Sequence, residues 1–198
     1  MKKLLTALTF VFSILTGFSQ DKPEGLFINS KAPEFKVKDQ SGKEVSLKEM
    51  RKKGPVVILF YRGNWCPYCN KELKRFQDSL QYITAKGAQV VAITPEAQEG
   101  IDSTIAKTGA SFPILYDEEA KIAKSYSVAF QPEEKVVGRY KSFGTDLMKI
   151  NNQKVVTLPV PAVYVVNKEG SITFRYFDAD YRKRVSVRDV LEALKLTF

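Results

Sequence analysis

Six consecutive apolar residues, Val56-Val57-Ile58-Leu59-Phe60-Tyr61, do most to limit the folds open to this chain. A strand that is apolar on both faces has to lie inside a sheet covered by helices on either side. A second such run follows at residues 90–94, and between the two Leu73, Phe76, Leu80 and Ile83 recur at spacings of three and four. That recurrence is the apolar face of a helix expected to reach Gly87. Strand, helix, strand within one sheet implies a parallel, right-handed crossover.

The flanking sequence extends this pattern. Residues 32–61 read as strand, turn, short helix, strand, with Gln40-Ser41-Gly42 as the turn and Gly54 ending the helix. Further α/β units are expected around residues 101–107 and 120–126. Pro159-Val160-Pro161 leads into a strand at 162–166, a turn at 167–170 and a strand at 171–177, which together read as a hairpin. Ser186 opens a last helix, with Val187, Val190, Leu191 and Leu194 on one side and Asp189 at the capping-box position. Residues 131–157 yield no assignment. The expected class is therefore α/β, a central mixed sheet flanked by helices on both faces.

A chain of 198 residues accommodates one such domain, assigned to residues 31–198, with 20–30 as an N-terminal linker. Lys2 and Lys3 precede an uncharged apolar stretch at 4–18, and Gly17 and Ser19 are the small residues of a cleavage site, so residues 1–19 read as a signal peptide. The apolar stretch is shorter than the roughly 20 residues that span a bilayer, so no stable membrane anchor is expected after cleavage. The expected location is the periplasm or cell envelope. Lipid anchoring through cysteine is excluded, because the only two cysteines, Cys66 and Cys69, lie far downstream.

The formal charge of +9 does not by itself point to nucleic acid. Basic stretches at 51–53 and 182–184 are interrupted by acids and lack interleaved aromatics, so they read as solvated faces, with no nucleic-acid partner. The chain contains no histidine, which removes Ser-His-Asp and Cys-His catalysis and any imidazole-ligated metal.

Chemistry concentrates in Trp65-Cys66-Pro67-Tyr68-Cys69, between the first apolar strand and the periodic helix. Unpaired N–H groups and the positive end of the macrodipole at a helix start pull a thiol pKa from about 8.5 toward 7 or lower. Cys66 is thus the expected nucleophile. Residues i and i+3 of a first turn lie close enough for the Cα separation of about 4.4 to 6.8 Å that a disulfide needs. Pro67 suits the first helical position, as a helix starter or as part of the site. A purely structural disulfide closes too short a loop to constrain the unfolded chain much. Zinc needs four ligands where two thiols stand, and covalent haem needs histidine where Asn70 stands. No metal and no cofactor are expected, and the thiols are expected to be reachable from outside the protein.

In these residues the chain resembles the thioredoxin-like superfamily, in the branch that includes peroxiredoxins of the alkyl hydroperoxide reductase and thiol-specific antioxidant type. The segments APEFKVKDQSGKEVSL, FYRGNWCPYCNKEL, FPILYDEEAKIAKSYSV and VPAVYVVNKEG occur in that family's order and cover nearly all of residues 32–196. The resemblance implies a thioredoxin-like fold. It places Cys69 at the peroxidatic cysteine, Arg62 at the family's proline, Cys66 at its threonine and Pro161 at its catalytic arginine, so three peroxide-activating residues are replaced. Trp65 before the first cysteine and a proline at the strand start are similar instead to thioredoxin, where that proline is cis. On that likeness Val160–Pro161 is expected to be cis. Trp65, Pro67, Tyr68, Val160 and Pro161 are expected to contact an extended substrate by strand addition. Leu59 stands where thioredoxin keeps a buried aspartate, and Glu72 is the candidate to transfer protons in its place.

The expected activity is thiol–disulfide exchange in cell-envelope redox homeostasis. Cys66 attacks a substrate disulfide and Cys69 resolves the mixed disulfide, with a thiol electron donor or acceptor as partner. The alternative is a thiol-dependent peroxidase in which a hydroperoxide oxidises Cys69 and Cys66 resolves it. A third reading is a redox-silent binding module that uses the proline loop and residues 131–157. Within that segment Tyr140, Phe143 and Met148 are expected to form a lid over the cysteines or to anchor the loop.

Overall fold

The computed structural model describes residues 22–195. The signal peptide assigned to residues 1–19 lies outside them. Among the described residues no helix is long and apolar enough to cross a membrane.

In chain order the molecule opens with a small antiparallel pair, β1 (Lys36–Lys38) and β2 (Glu44–Ser46), and the helix α1 (Leu47–Lys53). Next come β3 (Val56–Phe60), α2 (Pro67–Asp78), α3 (Leu80–Thr84), β4 (Gln89–Thr94), α4 (Gln98–Thr108) and β5 (Ile114–Tyr116). α5 (Lys121–Ser125) and β6 (Ala129–Phe130) lead into α6 (Glu134–Ser142), α7 (Leu147–Ile150) and β7 (Leu158–Pro159). β8 (Ala162–Val166), β9 (Ile172–Phe177) and α8 (Val187–Lys195) complete the described chain.

The main sheet runs β5-β4-β3-β8-β9. β3, β4 and β5 are parallel, whereas β8 runs antiparallel to β3 and β9 antiparallel to β8, so the sheet is mixed as expected. β3 is central, and its alternate residues feed two cores. Val56, Ile58 and Phe60 face Phe35, Leu47, Ile122 and Tyr126. Val57 and Leu59 face Leu73, Phe76, Ile83, Ile101, Val190 and Leu194 from the helices opposite. Each fully buried Leu or Phe contributes about 1.5–3 kcal/mol relative to exposure. The uninterrupted apolar run is thus accounted for by a strand buried on both faces.

Four expectations need correction. The helix expected to run unbroken to Gly87 ends at Asp78 and restarts at Leu80, because Ser79 leaves the helical region at φ −103°, ψ 4°. The Val160–Pro161 bond is trans. The Val160 N–H donates to the Val128 carbonyl at 2.8 Å between β7 and β8, so the chain passes extended from one strand to the next and a trans proline continues it directly. The linker assigned to 20–30 is anchored from Gly25 onward, whose N–H donates to Ser127, while that of Asn29 donates to Ile172. Residues 131–157 carry α6 and α7, and a small third core of Leu147, Val156 and Leu158 holds them down.

Gly54 and Gly87 show how tightly the helix ends pack beneath the sheet. A Cβ on Gly54 would stand 1.9 Å from the Gly87 carbonyl oxygen, so no side chain fits there.

Candidate active site

Because β3 and β4 are parallel neighbours, the segments leaving their C-terminal ends meet at the same edge of the sheet, where open α/β sheets place their sites. After β3 come Arg62, Gly63, Asn64 and Trp65, then Cys66 as the residue capping α2. After β4 comes Glu96. Pro67 takes the first helical position and Cys69 the third, so the two thiols share one face of the opening turn.

The two sulfurs are 2.7 Å apart, with the Cys69 thiol donating to Cys66. That hydrogen bond is the largest influence holding the Cys66 pKa well below the ordinary thiol range, at about 6, and the guanidinium charges of Arg62 and Arg184 and the Cys69 backbone N–H act in the same direction. Burial drives the Cys69 pKa strongly the other way, assisted by its bond to Cys66. One thiol is prepared as thiolate and the other as the proton holder, the division of labour expected for attack by Cys66.

The expectation of reachable thiols is not met: Cys66 is 1% exposed and Cys69 0%. Pro67 and Tyr68, between them in sequence, are exposed, while Trp65 is half-buried against the same core. The helix start presents itself to solvent while its sulfurs point inward.

Arg62 is 4% exposed, and among the described residues it makes no ion pair. Its guanidinium lies 4.5 Å from the Trp65 ring centroid, 4.2 Å from that of Tyr181 and 5.8 Å from that of Tyr140, and it donates to the Tyr140 hydroxyl at 2.7 Å. Aromatic faces stabilise such a cation by about 0.5–2 kcal/mol each. Its charge in turn favours the thiolate form of Cys66. Of the three residues expected to form a lid, Tyr140 packs on Trp65 at 4.9 Å, whereas Phe143 is 80% exposed and Met148 is also exposed, so those two take no part.

Arg184 overturns another expectation. Placed by sequence on a solvated face, it has a side chain only 6% exposed. Nη2 donates to the Cys69 Sγ at 3.4 Å, and Nε lies 3.1 Å from Glu72 Oε2. Glu72 is itself buried, and burial raises its pKa to about 7 against the pull of Arg184. It therefore connects to Cys69 through the guanidinium.

Glu96 completes the surroundings. Fully buried, it accepts hydrogen bonds from the Asn64 backbone N–H at 2.7 Å and from Asn64 Nδ2 at 2.8 Å, and burial raises its pKa to about 7. Two glycines make room for it. A Cβ on Gly63, at φ +148°, would lie 2.6 Å from the Glu96 carboxyl, and one on Gly100 would lie 2.7 Å from it. Lys107 clasps Asn64 from the other side through its carbonyl and Oδ1, and Asn70 Nδ2 donates to the same carbonyl. The turn that presents Cys66 is thus bolted to α4.

Val160 and Pro161 are buried, and they line a hollow of about 500 Å³ with Arg62, Phe130, Thr157 and Tyr181. Trp65, Pro67 and Tyr68 stand at the helix start, and Tyr68 stacks edge-on against Tyr181 at 5.8 Å. Sequence reasoning missed Arg184, Tyr181 and Glu96. Only Glu96 left a signal, as the first acid after an apolar strand parallel to the one that precedes the dithiol.

The family model described as AhpC/TSA matches residues 28–175, three quarters of the chain. The chain belongs to the AhpC/TSA family. Among curated relatives it is 32% identical over 122 residues to the thiol-disulfide oxidoreductase ResA of Bacillus cereus, covering 61% of this chain and 69% of that protein. It is likewise 32% identical over 147 residues to chloroplastic peroxiredoxin Q of Sedum lineare, covering 74% of this chain and 67% of that one. Peroxidoxin BcpB from Mycobacterium tuberculosis shares the fold with a TM-score of 0.66 at 18% identity, over 85% of this chain and 96% of that structure. The curated relatives thus include proteins named for each of the two chemistries that a paired thiol supports.

Proposed function

We propose that this AhpC/TSA-family protein is a thiol–disulfide oxidoreductase that cycles Cys66 and Cys69 between dithiol and disulfide. The observation that carries the reading is the opposed tuning of two sulfurs 2.7 Å apart: Cys66 lowered toward thiolate, Cys69 raised and donating to it. Cys66 thiolate attacks one sulfur of a substrate disulfide, and the other sulfur leaves as a thiolate. Once Cys66 is bonded to the substrate it no longer accepts from Cys69. Cys69 then loses its proton, attacks Cys66 and releases the second substrate thiolate, leaving the Cys66–Cys69 disulfide. Arg184 lies where negative charge develops on Cys69, and Glu72 behind it, with a pKa of about 7, takes up the proton once the guanidinium between them moves aside. Because both sulfurs are enclosed, exchange with a protein substrate proceeds after Trp65 and its aromatic neighbours move aside. Val160, Pro161, Pro67 and Tyr68 are the surfaces then offered to the incoming chain. The apolar, twin-lysine N-terminus supports export to the cell envelope.

Two features favour thiol-dependent peroxide reduction as the second reading. A hydroperoxide is small enough for a closed site, and Arg184 lies against Cys69, the position of the peroxidatic cysteine in the resemblance. Here Cys69 thiolate takes one peroxide oxygen to become sulfenic acid, the remainder leaves as alcohol or water, and condensation with the Cys66 thiol releases water and forms the same disulfide. One pair of variants separates the readings. Under exchange, Cys69→Ser accumulates a substrate mixed disulfide at Cys66. Under peroxidation, Cys66→Ser accumulates a sulfenic acid at Cys69 and still consumes hydroperoxide in stopped flow.

A further inference from the structure

Across the Tyr68–Tyr181 stack from the proline hollow lies an open groove of about 650 Å³, whose walls carry the cations Lys71, Lys74, Arg75, Lys107, Arg182 and Arg184 and no acid. Three of these cations are in ion pairs, Lys74 with Asp78, Arg182 with Asp180 and Arg184 with Glu72, and Lys107 bonds to Asn64. Lys71 and Arg75 form no ion pair among the described residues, so the groove keeps an excess of positive charge. It also ends at the chemistry, because Arg184 on its wall donates to the Cys69 sulfur.

We infer that this groove is the docking surface for an acidic polypeptide segment flanking the cysteine of the protein's redox partner. The inference rests on the exchange reading above and adds the partner's character to it. Lys71, Lys74 and Arg75 share one face of α2, and the four steps from Lys71 to Arg75 rise about 6 Å. An extended chain brings every second side chain to one side at a spacing of about 6.7 Å. Acids alternating along such a segment therefore meet cations of the helix while its cysteine lies at the Tyr68 end of the groove, toward Cys66. The three elements contributing charge, α2, the end of α4 and the 178–186 loop, form too broad a surface for one carboxylate to satisfy. A concave surface of one sign focuses the field and raises association rates about 10- to 1,000-fold for an oppositely charged partner, an advantage that salt removes.

The experiment compares three probes: hydroxyethyl disulfide, which is neutral, and two synthetic cysteine-peptide disulfides identical except for Glu or Gln at the residues flanking cysteine. At low salt the Glu peptide is expected to show a kcat/KM about tenfold above the Gln peptide. The ratio falls toward one in 0.3 M salt and in a K71E/K74E variant. Binding of the two reduced peptides to the Cys66→Ser, Cys69→Ser variant, followed by fluorescence anisotropy, is expected to show the same preference without turnover. Equal turnover and equal binding of the two peptides at low salt, or a preference that persists in K71E/K74E, overturns the inference while leaving exchange intact. Absence of turnover on all three probes overturns exchange, and the anisotropy arm then still decides whether the groove selects acidic chains.

Discussion

Arg62 carries a full positive charge into a site where, among the described residues, no carboxylate pairs with it, and its aromatic neighbours, the Tyr140 hydroxyl and the Cys66 thiolate make that tolerable. Its position was legible in sequence only as a departure from the family's proline, since nothing local says that a guanidinium will be walled by Trp65, Tyr140 and Tyr181, residues up to 119 positions away. The arrangement predicts that Arg62→Met, similar in volume but neutral, raises the Cys66 pKa by about one unit or more, because an opposite charge nearby typically shifts a thiol by that amount. Thiolate absorbance at 240 nm, titrated in the reduced protein, reads this without requiring access to the buried sulfur. An unchanged midpoint would assign Arg62 to packing alone.

Elements differed in how plainly they could be read. β3 and β8 are continuous apolar runs and β4 is one from Val90 to Ile93, and burial on both faces is the state that rewards such a run, so the sequence alone placed them inside the sheet. α6 has no buried residue and rests against the body through half-buried Val137 and Tyr140, which is why residues 131–157 gave no helical period to follow. The trans Val160–Pro161 bond departs from the likeness to thioredoxin because the chain passes extended from β7 to β8. The contact between α4 and the turn before α2 has a direct test in Gly100. In an ordinary helix Gly→Ala gains up to about 1 kcal/mol. Here the added methyl would meet the Glu96 carboxyl at 2.7 Å, so Gly100→Ala is expected to destabilise by about 1–3 kcal/mol, the usual cost of overpacking, and to loosen Asn64. Thermal unfolding and the Cys66 titration should both move, whereas a rise in Tm would show that Glu96 is free to yield.

At the scale of the whole molecule, several buried groups titrate near neutrality and their signs oppose one another. Burial raises Glu72 and Glu96 to about 7 and Asp117 to about 6, so the folded protein holds these protons more tightly than the unfolded chain. Their contribution to stability is fully present below about pH 4 and is lost as pH rises through 6 to 7, and a group shifted by about two units is worth on the order of 3 kcal/mol. The disulfide form should therefore unfold at lower urea concentration at pH 7.5 than at pH 4.5. Cys66 acts in the other direction and only in the dithiol form. Its folded pKa is depressed, so its stabilisation is complete above the ordinary thiol pKa of about 8.5 and is lost as pH falls through about 6. Reduction of the disulfide then takes up two protons below pH 6 and one above it. Each proton is worth about 30 mV per pH unit in a two-electron couple, so the potential should fall by about 59 mV per unit at acid pH and by about 30 mV per unit from 6 to 8. Equilibration with thiol redox buffers across that range would reveal the break. A straight line of the steeper slope up to pH 8 would mean that Cys66 keeps its proton, and with it would go the division of roles between the two sulfurs.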